Sequence, residues 1–205
     1  MPRRARCPRC AIDLPAGARE GETCQPCEDQ SPEFDRAIAA VDYAGPWPAL
    51  LARLKFQHHT ATARSLAALM GHAIRARQAH ADLIVPIPLS GQRLAERGFN
   101  QSWLIASALS RQLGIPARHD LLVRTRHTQR LMSLDAEARH LHIQGAFEAT
   151  PAGQRALQRR HVAIVDDVMT TGATLNDAAH ALLEAGARSV SAWVVARTPS
   201  PRLPD

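Results

Sequence analysis

Several features that define large protein classes are missing from this sequence. No stretch reaches the roughly 18 uninterrupted apolar residues of a membrane-spanning helix, and residues 1–7 lead into no apolar signal segment. Internal repeats are absent, and no Ser-His-Asp or Cys-His arrangement suggests a catalytic nucleophile. We therefore expect a cytoplasmic globular protein with no membrane span.

Lysine is nearly absent as well. Lys55 is the only lysine among 25 basic residues, and this strong preference for arginine is typical of GC-rich codon usage. The formal net charge of +6 permits nucleic acid, phosphate or acidic lipid as partners. Because the arginine content has this simpler explanation, the charge alone assigns no partner.

Aromatic residues are scarce, with eight in the whole chain. Proteins that bind single-stranded DNA usually stack its bases on aromatic side chains along a basic groove. We expect the large aromatic side chains to fill the core instead, namely Trp47, Phe56, Phe99, Trp103 and Trp193. The composition therefore supports DNA binding only weakly.

All the cysteines lie near the N-terminus. They form two C-x2-C pairs separated by 13 residues: Cys7, Cys10, Cys24 and Cys27. This spacing is typical of zinc ribbons, in which each pair supplies two thiolates to one metal ion. Disulfides are the alternative, but the compartment we expect keeps thiols reduced. We predict that all four bind a structural zinc ion, since the polar segment between the pairs cannot build its own core.

From about residue 38, short apolar runs alternate with amphipathic helical patterns. This order predicts an α/β fold, with a parallel sheet flanked by helices. The strands are expected at residues 82–88, 121–123, 161–165 and 189–196. The stretch from Arg124 to about Gln158 is polar and is predicted to be a long loop.

The most informative segment follows the strand at residues 161–165. Asp166 and Asp167 come first, and a turn of small and hydroxylated residues, Thr170 to Thr174, then opens a helix. Backbone amides, a glycine and the positive end of a helix dipole favour a phosphate dianion. Carboxylates beside such a site suit a ligand that also carries hydroxyl groups, such as a phosphorylated ribose. The alternative is that the aspartates cap the helix and the threonines only form the turn.

Residues 162–174 also resemble the phosphoribosyl pyrophosphate (PRPP) binding signature of type I phosphoribosyltransferases. The resemblance implies that Asp166 and Asp167 hold the ribose hydroxyls and that the following loop holds the 5-phosphate. The PRPP-binding residues are then Asp166, Asp167, Val168, Met169, Thr170, Thr171, Gly172, Ala173 and Thr174. Because pyrophosphate leaves in this chemistry, magnesium is expected with PRPP.

Residues 86–101 are similar to the segment that marks the ComF/GntX family, which are competence-associated phosphoribosyltransferase-like proteins. Further matches include residues 54–56 and residues 196–199. The resemblance implies a four-cysteine zinc ribbon over residues 1–34 and a type I phosphoribosyltransferase-like domain over residues 35–205. In the 124–158 stretch, which corresponds to the loop that closes over the active site, Leu131 and His142 replace the usual Gln and Asn.

Two arginines in that segment are candidates for a second anion site. Arg93 and Arg97 are four residues apart and would share one face of a helix. In the type I fold the loop at this place contacts pyrophosphate, which makes Ser90, Arg93 and Arg97 candidates for that contact and the two arginines candidate catalytic residues with the aspartates. The alternative is an exposed basic helix face.

Two functional hypotheses remain open. The first is a magnesium-dependent phosphoribosyltransferase that acts on an unknown nitrogen base, in DNA uptake or nucleotide salvage. The second is a non-catalytic module that senses PRPP or binds single-stranded DNA, with DNA-uptake proteins as possible partners. The sequence contains no recognisable pocket for an acceptor base, so it does not decide between them.

Overall fold

The computed structural model describes residues 5–56, 60–125 and 145–200. Its centre is a parallel sheet of four strands in the order β1-β6-β5-β2. These strands are β1 (Arg36–Asp42), β2 (Leu83–Pro86), β5 (His161–Met169) and β6 (Ser189–Arg197). The predicted α/β class is confirmed, and the two longest strands, β5 and β6, lie in the middle of the sheet.

Helices cover both faces of this sheet. In chain order the helices of the described residues are α1 (Gln25–Asp29), α2 (Trp47–Phe56), α3 (Thr62–Ala76), α4 (Gly91–Arg97), α5 (Gln101–Leu113), α6 (Pro151–Ala156) and α7 (Ala173–Glu184). Helices α3 and α5 pack on one face of the sheet, and α7 packs on the other. Among the described residues, no helix combines the length and the apolar character that crossing a membrane requires.

The side chains of the central strands alternate between two hydrophobic cores. Ile164 and Val194 belong to the core that includes α7, whereas Val165, Trp193 and Val195 belong to the core that includes α3 and α5. Successive residues of a strand point to opposite faces, so a sheet covered on both sides needs apolar residues at every position. This explains the uninterrupted apolar runs in the sequence.

The predicted long loop is wrong for the part of it that the structure describes. Strand β3 (Leu122–Arg124) pairs antiparallel with β4 (Phe147–Ala149), and α6 follows. Thr150 caps α6 by accepting a hydrogen bond from the Gly153 amide at 3.0 Å. β4 has only three residues and is too short to show alternation, so the periodicity of the sequence did not reveal it. Leu131 and His142 lie outside the described residues.

Candidate functional site

Both aspartates of the candidate site lie inside β5 rather than after it. The prediction that this strand ends at residue 165 is wrong, because β5 stays paired with β6 as far as Met169 opposite Arg197. Val168 and Met169 continue the apolar pattern beyond the two acids, which physically explains the extension. The acid pair, defined here as Asp166 and Asp167, is therefore held by pairing with β6, whereas the pairing with β2 ends at Val165.

Asp166 accepts two hydrogen bonds through one carboxylate oxygen, Oδ1. The Ser102 hydroxyl, near the start of α5, donates at 2.8 Å, and the Asp167 amide donates at 2.8 Å. Burial and the neighbouring charge of Asp167 raise the pKa of Asp166 to about 7. A carboxylate at this position is therefore costly to ionise unless a ligand compensates it.

Asp167 is more deeply engaged and only 3% exposed. Its Oδ2 forms an ion pair with Lys55 Nζ at 2.5 Å, and its Oδ1 accepts a hydrogen bond from Gln101 Nε2 at 3.2 Å. Lys55 is in α2 and Gln101 begins α5, so two helices converge on this carboxylate. The lysine therefore supplies a counter-charge directly beside this buried carboxylate.

The raised pKa of Asp166 predicts how stability depends on pH. Since the folded protein holds this proton more tightly than the unfolded chain, the free energy of unfolding should fall as pH rises from about 4 to about 7. Asp166→Asn should remove much of this slope and stabilise the protein at pH 8. Urea unfolding of both proteins at pH 5 and pH 8 tests this, and an equal slope in the variant would contradict the assigned cause.

The loop after β5 leads directly into α7. Thr170 and Thr171 are exposed, and Gly172 has a φ of 91°, which favours glycine. The Thr171 hydroxyl accepts a hydrogen bond from the Ala173 amide at 3.3 Å. Gly172 occupies the N-cap position of α7 and, as a glycine, has no side chain with which to cap the helix. The alternative in which the aspartates cap this helix is therefore wrong, and α7 presents its N-terminal end to an anion, with the Ala173 amide already bonded to Thr171.

Residues 91–97 form helix α4, so the two candidate arginines do lie on one helix. Ser90 is buried and is the N-cap of α4, where its hydroxyl accepts a hydrogen bond from the Arg93 amide at 3.3 Å. Arg97 Nη1 donates to Gln101 Oε1 at 2.5 Å, and Gln101 in turn reaches Asp167. The structure thus links Arg97 to the acid pair through one glutamine, whereas the Ser90 side chain serves as the N-cap of α4.

A third arginine lies in the same region. Arg124 at the end of β3 places its guanidinium 5.3 Å from the centre of the Phe147 ring. Burial lowers its pKa, and Arg93 and Asp166 are both close enough to influence that pKa. Arg97 and Arg124 therefore bring positive charge near the acid pair, and Arg93 lies near both of these arginines, which suits a ligand with several phosphates.

Sequence reasoning missed the residues that hold the acid pair. Lys55, Gln101 and Ser102 come from two helices far from β5 in the sequence, and no motif spacing connects them. One signal was present, because Lys55 is the only lysine in the chain. The core prediction was also wrong for Phe56, which is 68% exposed, although Trp193 is fully buried.

The four cysteines come together at the N-terminus. Their sulfur atoms all lie within 4.8 Å of one another, Cys7 and Cys27 are buried, and all four are free thiols. Cys10 Sγ and Cys24 Sγ, one from each C-x2-C pair, are 3.5 Å apart. The disulfide alternative is therefore not what the structure shows, and this cysteine cluster could hold a metal ion.

The electrostatics of the cysteine cluster fit a metal ion. Burial raises the pKa of Cys24 to about 11 and raises the pKa of Cys27 as well, whereas at Cys7 burial is outweighed by backbone hydrogen bonds, which lower its pKa. Crowded thiols resist ionisation because each thiolate would repel the next, and a bound dication reverses that preference. Four sulfur donors match the chemistry of structural zinc and leave no open coordination position.

Comparison with known proteins shows where this arrangement occurs. A family model described as phosphoribosyl transferase domain matches residues 54–205. Competence protein F of Haemophilus influenzae is 34% identical over 196 residues, covering 93% of this chain and 84% of that protein. DNA utilization protein YhgH of Escherichia coli K12 is 36% identical over 197 residues, covering 94% and 84%.

One solved structure, glutamine PRPP amidotransferase from Bacillus subtilis with ADP and GMP, is 18% identical and has a TM-score of 0.45, covering 66% of this chain and 26% of that chain. The predicted resemblance is confirmed by the family model and by the two relatives, which match nearly the whole chain. The chain therefore belongs to the phosphoribosyl transferase domain family and, within it, to the ComF family of competence proteins.

Proposed function

We propose that this protein binds PRPP at the carboxyl end of β5. One observation carries the proposal: two carboxylates, an exposed hydroxyl-rich turn and the N-terminus of α7 follow one another along nine residues of chain, Asp166–Thr174. In open α/β sheets, ligands bind at this edge. A ligand that carries both a diol and a phosphate satisfies every group in the segment.

Each part of PRPP then has a partner. The acid pair accepts hydrogen bonds from the two ribose hydroxyls, and the residues from Val168 to Thr174 enclose the 5-phosphate. Arg93 and Arg97 face the pyrophosphate, with Arg124 as a further source of positive charge. The Ser90 hydroxyl already caps α4, so we expect Ser90 to contribute to this region through its backbone.

Magnesium fits this donor set because carboxylate oxygens are the ligands it prefers. Asp166 and Asp167 would face the cation that PRPP carries, and the cation would neutralise charge on the departing pyrophosphate. Lys55 now holds Asp167 at 2.5 Å, so the ion pair must loosen when the diol and its cation arrive. A raised pKa at Asp166 is consistent with a carboxylate that gains its partner only on binding.

The reaction we propose is phosphoribosyl transfer to a nitrogen base. The bond between ribose C1 and the pyrophosphate oxygen breaks, a bond from C1 to the base nitrogen forms, and the displaced N–H proton leaves to solvent. Positive charge develops on the ribose ring, which needs electrostatic stabilisation rather than a protein nucleophile. Phe56 offers an exposed ring with the Arg97 guanidinium 5.5 Å from its centre, and a flat base could stack there.

The test is pyrophosphate release by the purified protein with magnesium, PRPP and each base of a purine and pyrimidine panel. We expect release with one base class, and we expect Phe56→Ala to raise the KM for that base more than it lowers kcat. Leu94→Ala is the matched control, because it also removes an exposed apolar side chain, in this case one on α4. If PRPP binds but pyrophosphate is released no faster than by solvent hydrolysis with every base, the proposed transferase activity is contradicted.

The alternative is a PRPP-sensing or single-stranded-DNA-binding module of natural transformation. The observation that favours it is the same exposed Phe56 beside Arg97, since an aromatic ring next to an arginine suits a stacked base of single-stranded DNA. PRPP binding without pyrophosphate release, together with oligonucleotide binding that weakens steeply with salt, would establish this alternative. Weak binding that does not depend on salt would remove it.

We also propose that the metal in the cysteine cluster is zinc and that residues 1–34 form a ribbon domain. Support comes from a small separate core, in which Cys7, Leu14 and Cys27 are buried. Arg6 joins this segment to the sheet through an ion pair with Asp42, the last residue of β1, at 2.6 Å. A zinc ion there is structural, because four thiolates fill its coordination.

A further inference from the structure

The last residue of β6 connects two parts of the molecule that the proposed function treats separately. Arg197 is 6% exposed, and its Nε donates to the Cys10 carbonyl at 2.9 Å. Its Nη1 donates to the carbonyls of Met169, at 3.3 Å, of Thr170 and of Thr198, at 3.0 Å. One buried guanidinium therefore contacts both the cysteine cluster and the turn after β5.

Within the described residues, this arginine forms no ion pair with a carboxylate. A buried cation that relies on carbonyl oxygens alone is costly, because dipoles compensate a full charge less well than an opposite charge does. Its charge lies directly behind the turn that would receive a phosphate. A dianion bound there would supply the missing negative charge at short range.

The hydrogen bonds of Arg197 also set the direction of the turn. The peptide bond is planar and trans, so a carbonyl and the amide of the next residue point in opposite directions. With the carbonyls of Met169 and Thr170 held on the Arg197 side, the amides of Thr170 and Thr171 point the other way. The side chains of both threonines are exposed, so that side of the turn is open to a ligand.

We propose that Arg197 is the positioning residue of the phosphate-binding turn, and that the metal in the cysteine cluster supports the turn through the Cys10 carbonyl. Metal coordination fixes the backbone at Cys10, the Cys10 carbonyl holds the Arg197 guanidinium, and this guanidinium holds the turn. This inference rests on the proposed PRPP site for its ligand, but the arrangement of the turn can be tested without one.

The first experiment measures hydrogen exchange. The amides of Thr198 and Asn176 are bonded to the carbonyls of Met169, at 2.9 Å, and Gly172, at 2.8 Å, and so report on the turn. We expect Arg197→Lys, which keeps the charge but not the planar fork, to speed both exchanges at least about tenfold. Removing the metal from the wild-type protein with a chelator should do the same. Arg188→Gln, at an exposed position before the other end of β6, is the matched control.

The second experiment measures affinity for ribose 5-phosphate by calorimetry. Arg197→Lys and metal removal should each weaken binding about tenfold, whereas metal removal from the variant should add little, because the two changes break one path. Fully additive losses, or unchanged exchange in the variant, would overturn the inference. If the wild-type protein binds no ribose 5-phosphate, the proposed function fails, and the exchange measurements still decide whether Arg197 and the metal hold the turn.

Discussion

Replacing both aspartates of the acid pair with asparagine is expected to abolish PRPP binding and leave the protein folded. Each hydrogen bond from a ribose hydroxyl to a carboxylate contributes about 1.5–3 kcal/mol. Losing both should weaken binding by roughly 100-fold or more. The fold should survive, because the raised pKa of Asp166 makes its carboxylate costly to ionise and an amide can still accept the Ser102 hydrogen bond.

The measurement is calorimetric titration with PRPP and magnesium, with the melting temperature recorded for each variant. The two single variants separate the roles, since Asp167→Asn also leaves Lys55 without its partner at 2.5 Å and should cost more stability than Asp166→Asn. Asp82→Asn is the matched control, because Asp82 accepts a hydrogen bond from the His161 amide at the opposite end of β5. Unchanged PRPP affinity in the double variant would show that the ligand binds elsewhere.

Replacing Cys27 with serine is expected to remove the metal and unfold the N-terminal segment. The small core there contains few apolar side chains, so hydrophobic burial alone cannot hold it. In small zinc domains the metal contributes about 10–16 kcal/mol to folding, which is far more than this core could replace. Metal analysis should find a single zinc ion per wild-type chain and almost none in the variant.

Limited proteolysis provides the structural readout for this variant. The segment that carries the cysteine cluster should become cleavable in Cys27→Ser, and the melting temperature should fall, because Arg197 and Arg6 anchor that segment to the sheet. Gln25→Ala changes an exposed neighbour of Cys24 and should keep the metal. A freshly purified, reduced wild-type sample without zinc would refute the assignment.

The local motifs were predictable because each is contained within a few consecutive residues. The glycine after α5 is an example: Gly114 has a φ of 72° and ends the helix, as the Gly-Ile-Pro sequence indicates. Arg93 and Arg97, whose four-residue spacing suits one face of a helix, both lie in α4. In these cases the local backbone preference and the tertiary structure agree.

Predictions failed where long-range pairing decided the outcome. β5 continues through Asp166 and Asp167 because it pairs with β6 as far as Met169, although the two acids interrupt the apolar run that marks the strand in the sequence. Similarly, β4 is a strand because β3 pairs with it across the intervening stretch. Phe56 is exposed although it is apolar, because it is the last residue of α2, beyond the buried part of that helix.

By itself, the sequence determined the family, the class of fold, the position of the acid pair with its turn, and the four cysteines that could share a metal. These depend on residue type and short spacing, which the chain carries locally. Only the tertiary structure decided what surrounds them: Lys55 on Asp167, Ser102 on Asp166, and Arg197 between Cys10 and Thr170. Such contacts join residues far apart in sequence, and their geometry exists only once the sheet and helices have packed.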